Sequence, residues 1–183
     1  MAFSILTLHD CRLEGFWNRL ILNGMKISEF FISNIIQYFM NSTIITIEMM
    51  LLLKILLQIE ILGSCRLAFL IIFLTAFDGF LCGLITSIIF DNLFIIAGFG
   101  FHFSFLSMSL SGIVWPIEGA SKYIQPLVYL YPLTMPADAL RDIYFKGSNL
   151  LNFDIQLALF YLIFCTLFHC FLCLIVLKYK IFK

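Results

Sequence analysis

The amino-acid sequence predicts an all-α membrane protein with about four transmembrane helices. An amphipathic cytoplasmic helix is expected near the N-terminus, and a Pro-broken re-entrant hairpin before the last helix. Three observations carry this reading. Of 183 residues, 62% are apolar, 22 are Phe and only 12% are charged, whereas soluble domains run near 45–50% apolar and about 25% charged. Four windows of about 20 apolar residues, the length that a ~30 Å hydrocarbon core requires, fall at 30–53, 67–90, 93–115 and 155–177. All four prolines, Pro116, Pro126, Pro132 and Pro136, lie between the third and fourth windows. Zero formal net charge leaves no basic field to hold nucleic acid.

The N-terminal residues 1–8 are apolar but too short to span, and they lack the basic start and small-residue cleavage site of a signal peptide. They read as the stub of a preceding helix. The first span carries Asn34, Gln37, Asn41 and Glu48 at spacings of three, four and seven, which places them on one helical face. Two readings of that stripe stand: interhelical hydrogen bonding, or a polar pathway lined for substrate. The sequon Asn41-Ser42-Thr43 lies inside the same span, where no glycan can sit.

The second span steps through Thr75, Gly79, Gly83 and Ser87 by fours, a small-xxx-small pattern that permits close helix approach. Asp78 lies beside it near mid-span. An ionised carboxylate there costs ~2.5–3.5 kcal/mol, so it is expected to be paired, hydrated or protonated. No partner base is evident, although a proton-coupled carrier built on Asp78 and His102 is a conceivable alternative. The third span is rich in Gly and Ser, which suits a packed position. In the fourth, Cys165, His169 and Cys173 share a face; no second helix supplies an obvious Cys/His pair, so no metal site is expected. Neither a P-loop nor HExxH, GxSxG or CxxC occurs, which excludes the corresponding soluble-type catalysis. The six cysteines offer no intrachain disulfide, because the long connection 116–153 contains none.

Orientation follows from positive charge. The tails 1–29 and 178–183 carry Arg12, Arg19, Lys26, Lys178, Lys180 and Lys183, against Lys122, Arg141 and Lys146 in 116–153. Both termini are therefore expected in the cytoplasm of a multi-pass protein, in the plasma membrane. In the hairpin, apolar stretches such as 123–133 are too short to span, and each Pro discourages helix before it. Such a segment is expected to dip into the outer leaflet with its aromatic residues at the interface.

That segment reads Ser111-Gly112, Trp115-Pro116-Ile117-Glu118-Gly119, Pro132, Thr134, Leu140-Arg141 and Gly147. Its order resembles the run joining the last two membrane helices of the type-2 permease domain of ATP-binding-cassette exporters, nearest to the G and H subfamilies. Glu14, Arg19, Asn23-Gly24 and Glu29 resemble the cytoplasmic segment before the third helix of such domains. The resemblance implies the membrane-spanning part of an exporter of lipid or other hydrophobic molecules, N-terminally incomplete. Residues 1–29 would be the end of a preceding helix plus a coupling segment (Glu14, Arg19, Gly24, Glu29), and 30–183 a partial transmembrane domain. It further implies an outer gate at about 116–147, with Trp115, Pro116, Glu118, Gly119, Pro132 and Arg141. Half-transporters would pair as homo- or heterodimers in membrane lipid. The chain itself would not be an enzyme and would hold no cofactor or metal; ATP and Mg would be bound by a nucleotide-binding domain absent from it. The competing reading is an accessory or non-transporting membrane fragment that only pairs with other subunits.

Overall fold

The computed structural model describes residues 22–24, 26–56, 58–112, 123, 125–129 and 131–180. Among them run α1 (Ile27–Ile55), α2 (Cys65–Ile89), α3 (Leu93–Leu110), α4 (Gln125–Val128), α5 (Thr134–Lys146) and α6 (Phe153–Lys180). No strand occurs among the described residues. Helices α1, α2, α3 and α6 are each long and apolar enough to cross a membrane, and they contain the four predicted windows apart from the last residue of the second, Phe90, and the last five of the third.

Each boundary has a local cause. Glu29 in the first turn of α1 accepts the backbone N–H of Lys26 at 3.0 Å, satisfying a donor at the helix start. Asn92 occupies the cap position of α3, its Oδ1 accepting the Phe94 N–H at 2.9 Å. The third span ends at Leu110 rather than at 115, because Gly112 turns into the left-handed region (φ +74). Arg141 from α5 donates to the Gly112 carbonyl, and the Ser111 hydroxyl to the Met108 carbonyl at 3.1 Å.

Helix α2 is central. It packs most extensively on α6, then on α1, α5 and α3. One apolar cluster joins Phe30 and Tyr38 of α1, Phe80, Leu84 and Ile88 of α2, and Cys173 and Leu177 of α6. Tyr38 stacks on Phe80 with ring centroids 5.4 Å apart. A second cluster at the other end joins Leu67, Ala68 and Ile71 of α2 with Ala139, Ile143 and Tyr144 of α5 and Ile155, Ala158 and Leu162 of α6.

The Pro-rich connection is partly helical where it is described. Pro136 does not break α5; it sits in the first turn, where a missing N–H leaves no intrahelical bond unmade. Helix α5 buries Thr134, Pro136, Ala139, Ile143 and Tyr144 along one side and closes at Gly147 (φ +66) with the Ser148 N–H bonded to the Asp142 carbonyl at 3.1 Å. The connection between α1 and α2 docks on this end: Leu62 and Gly63 donate backbone N–H bonds to the Tyr144 and Ile143 carbonyls at 3.3 and 3.0 Å. The α1–α2 connection and α5 therefore occupy the same end of the bundle, as an up-and-down order of four spans requires.

Candidate functional site: a polar cluster between the second and last spans

Between the two apolar clusters lies the polar centre of the bundle. Asp78 and Cys82, four residues apart on α2, present their side chains together to His169 of α6. His169 Nδ1 lies 2.8 Å from Asp78 Oδ1, and its Nε2 lies 3.5 Å from Cys82 Sγ. Asp78 is 4% exposed, so its carboxylate has little water to solvate it. With Nδ1–H donating to the carboxylate, the imidazole supplies the missing partner, and an imidazolium–carboxylate pair is jointly neutral in the membrane interior. The expectation that Asp78 lacks a partner base is thereby corrected. His102, the residue first set beside it, is exposed on α3.

A cavity of about 120 Å³ adjoins the cluster, lined by Thr75, Asp78, Gly79 and Cys82 of α2, by Ser104 and Ser107 of α3, and by Pro132 and Leu133. The Ser107 hydroxyl is fully buried with no hydrogen-bond partner. Gly79 borders this space: nothing lies within 4 Å of where its Cβ would stand. Close helix approach is thus not its role within this chain, although Gly83 is buried.

The predicted polar stripe of α1 divides. Asn34 is buried, but its Nδ2 donates to the Phe30 carbonyl at 2.8 Å, within its own helix. Asn41 is half-buried, with its Nδ2 enclosed and unpartnered. Gln37 and Glu48 are exposed. The buried face instead steps by fours through Phe30, Asn34, Tyr38, Ser42 and Thr46, and the last two hydroxyls bond to their own backbone. Their burial allows close packing without a polar bond across helices.

Of the predicted coupling residues, Gly24 is exposed in a left-handed turn (φ +78) and Glu29 caps α1; Glu14 and Arg19 lie outside the described residues. Of the predicted gate, Trp115, Pro116, Glu118 and Gly119 also lie outside them. Pro132 is half-buried beside the small cavity. Arg141 is tied to Asp138 at 3.2 Å and to the Gly112 carbonyl, joining α5 to the end of α3.

Larger cavities open at the α5 end. One of about 530 Å³ lies between α1, α2 and α5, lined by Met49, Leu53, Ile72, Pro136 and Leu140, with Arg141 and Tyr144 as polar edges. Another of about 690 Å³ lies between the end of α1 and the connection to α2. Burial, with a smaller push from Cys65, holds the Tyr144 phenol above its ordinary range. Asp142, 2.7 Å from the Lys146 ammonium, raises that group in turn.

The sequence sets His169 only on a face with Cys165 and Cys173, and its pairing with Asp78 and Cys82 of α2 is the feature that reading lacks. A signal for it existed, because α2 and α6 both start from the α5 end of the bundle. Counting 1.5 Å per residue, Cys82 lies about 25 Å and His169 about 24 Å along their helices.

These observations define a multi-pass helical membrane protein with a polar centre and apolar cavities toward one end. Residues 2–145 match the family described as ABC-2 type transporter. The chain belongs to that family, as a membrane permease domain rather than an ATPase domain. It is thus membrane part of an ATP-binding-cassette transporter, a setting that implies pairing with a nucleotide-binding domain and dimeric assembly. No curated protein and no solved structure matches the chain.

Proposed function

We propose that this domain exports lipid or other hydrophobic molecules, driven by ATP bound and hydrolysed with Mg on a separate nucleotide-binding domain. The family match over residues 2–145 carries the reading; the apolar lining of the 530 Å³ cavity supports the choice of cargo. The sequence motif around Trp115–Gly119 favours a G- or H-type exporter. In this proposal the segment with Glu14, Arg19, Gly24 and Glu29 receives the motion of the ATPase on the cytoplasmic side. Residues 116–147 form the outer gate of a plasma-membrane protein whose two termini face the cytoplasm. Two such halves pair, and rigid groups of helices rock about a path between them. Arg141 would hold the gate shut through its bond to Gly112 and release it on opening.

The test is reconstitution of the chain with its nucleotide-binding partner in proteoliposomes, followed by movement of a fluorescent phospholipid. ATP-dependent movement that stops when the partner's ATPase is inactivated supports the proposal. Movement independent of ATP, or none while the partner's ATPase runs, overturns it.

A further inference from the structure

We propose that Cys82 and His169, with Asp78 behind the imidazole, form a binding site for a divalent transition metal of the Zn²⁺ type inside the membrane. One ligand atom from each of the three residues falls within 4.8 Å of the others. The separation of Cys82 Sγ and His169 Nε2, 3.5 Å, is the one a shared ion needs. With bonds of about 2.3 Å to sulfur and about 2.0–2.1 Å to nitrogen, two tetrahedral ligands stand about 3.5 Å apart. The 2.8 Å contact on the other ring nitrogen is the arrangement in which a carboxylate fixes the tautomer and aim of a metal-binding histidine.

A second observation points to a ligand here. The cavity of about 120 Å³ that Asp78 and Cys82 line holds the buried, unpartnered Ser107 hydroxyl. It has room for water, whose share of liquid volume is about 30 Å³, to complete an open coordination sphere. Charge favours a doubly charged ion: one carboxylate, one thiolate and a neutral imidazole around it sum to zero, so no isolated charge remains in the hydrocarbon zone. Sulfur and nitrogen donors select a borderline transition metal over Ca²⁺ or Mg²⁺, which prefer oxygen. A bound ion would staple α2 to α6 between the two apolar clusters.

The experiment titrates Co²⁺ into the full chain, free of any affinity tag, in lipid nanodiscs. The expected result is a thiolate-to-cobalt charge-transfer band saturating at one ion per chain. Zn²⁺ should displace it, and excess Mg²⁺ should not. Cys82→Ser should abolish the band, and His169→Gln should weaken binding at least tenfold. Asp78→Asn should keep the band with about 10–100-fold weaker affinity, and Cys170→Ser should leave it unchanged. In the unsubstituted chain, absence of the band or displacement by Mg²⁺ overturns the proposal. So does a band that survives Cys82→Ser.

Discussion

Replacing Gly63 with Ala should loosen the joint between the α1–α2 connection and α5. A Cβ at this position would stand 2.8 Å from the Ile143 carbonyl oxygen, 2.9 Å from that of Ser148 and 3.2 Å from the Gly147 carbonyl carbon. All three are backbone atoms, so no side chain can rotate away, and the connection must retreat by roughly half an ångström to reach ordinary contact. That retreat stretches the Gly63–Ile143 hydrogen bond, now 3.0 Å, and the Leu62–Tyr144 bond, now 3.3 Å, to or past the limit of useful geometry. Overpacking costs about 1–3 kcal/mol, and each weakened bond adds up to about 1 kcal/mol. The expected local loss is about 2–4 kcal/mol. Hydrogen exchange in nanodiscs reads it directly: amides in 60–66 and 143–148 should exchange roughly 30- to 1000-fold faster, since about 1.4 kcal/mol is tenfold. Gly79→Ala is the internal control, because nothing lies within 4 Å of its Cβ position. It should be neutral, or stabilising by up to about 1 kcal/mol from helix propensity. If Gly63→Ala exchanges like the parent, or Gly79→Ala is the more damaging change, the steric reasoning fails.

Tyr144→Phe should be neutral or stabilising by up to about 1 kcal/mol in unfolding titrations, because it removes a buried hydroxyl that has no partner. The raised Tyr144 and Lys146 values mean that the folded chain holds these protons more tightly than the unfolded one. Their contribution is complete below about pH 10, the ordinary phenol value, and is lost as pH rises through the folded values. Alkaline unfolding curves should show this loss, reduced in Tyr144→Phe. Arg141→Lys should cost about 1 kcal/mol and speed amide exchange near 108–112, since a single ammonium cannot serve Asp138 and the Gly112 carbonyl with guanidinium geometry. His169→Leu should destabilise by roughly 2–3 kcal/mol in mixed-micelle denaturation, leaving Asp78 unpaired. Adding Asp78→Leu should recover part of that loss, and strictly additive effects would argue against a coupled pair.

The four spans were legible because hydrocarbon thickness imposes their length, and 20 apolar residues in a row leave no competing reading. Side-chain roles were less so, for two physical reasons. Helical periodicity assigns residues to a face but does not say what the face meets: Asn34 and Gln37 shared a predicted stripe, yet one is buried and the other exposed. Contacts between distant segments carry no local signature, and the partners Asp78 and His169 stand 91 residues apart. Proline misled in the opposite way. It discourages helix at the residue before it, but in a first turn it is tolerated, so Pro136 begins α5 rather than ending a helix.

The polar atoms of the spans show where specificity in this bundle resides. Hydroxyls of Ser42, Thr46, Thr75, Thr86, Ser87 and Thr166 each donate to their own helix backbone. Such bonds satisfy the hydroxyl wherever the helix goes, so they do not select a neighbour. Apolar contact selects weakly as well, because a lipid tail is as apolar as a leucine. What distinguishes one register of α2 against α6 from the next is the Asp78–His169–Cys82 contact. Sliding α6 by one turn, about 5.4 Å, would keep leucines and phenylalanines against α2 while stranding a carboxylate in the hydrocarbon. The small polar cluster thus fixes the pairing of the two most extensively packed spans, independently of whether an ion occupies it.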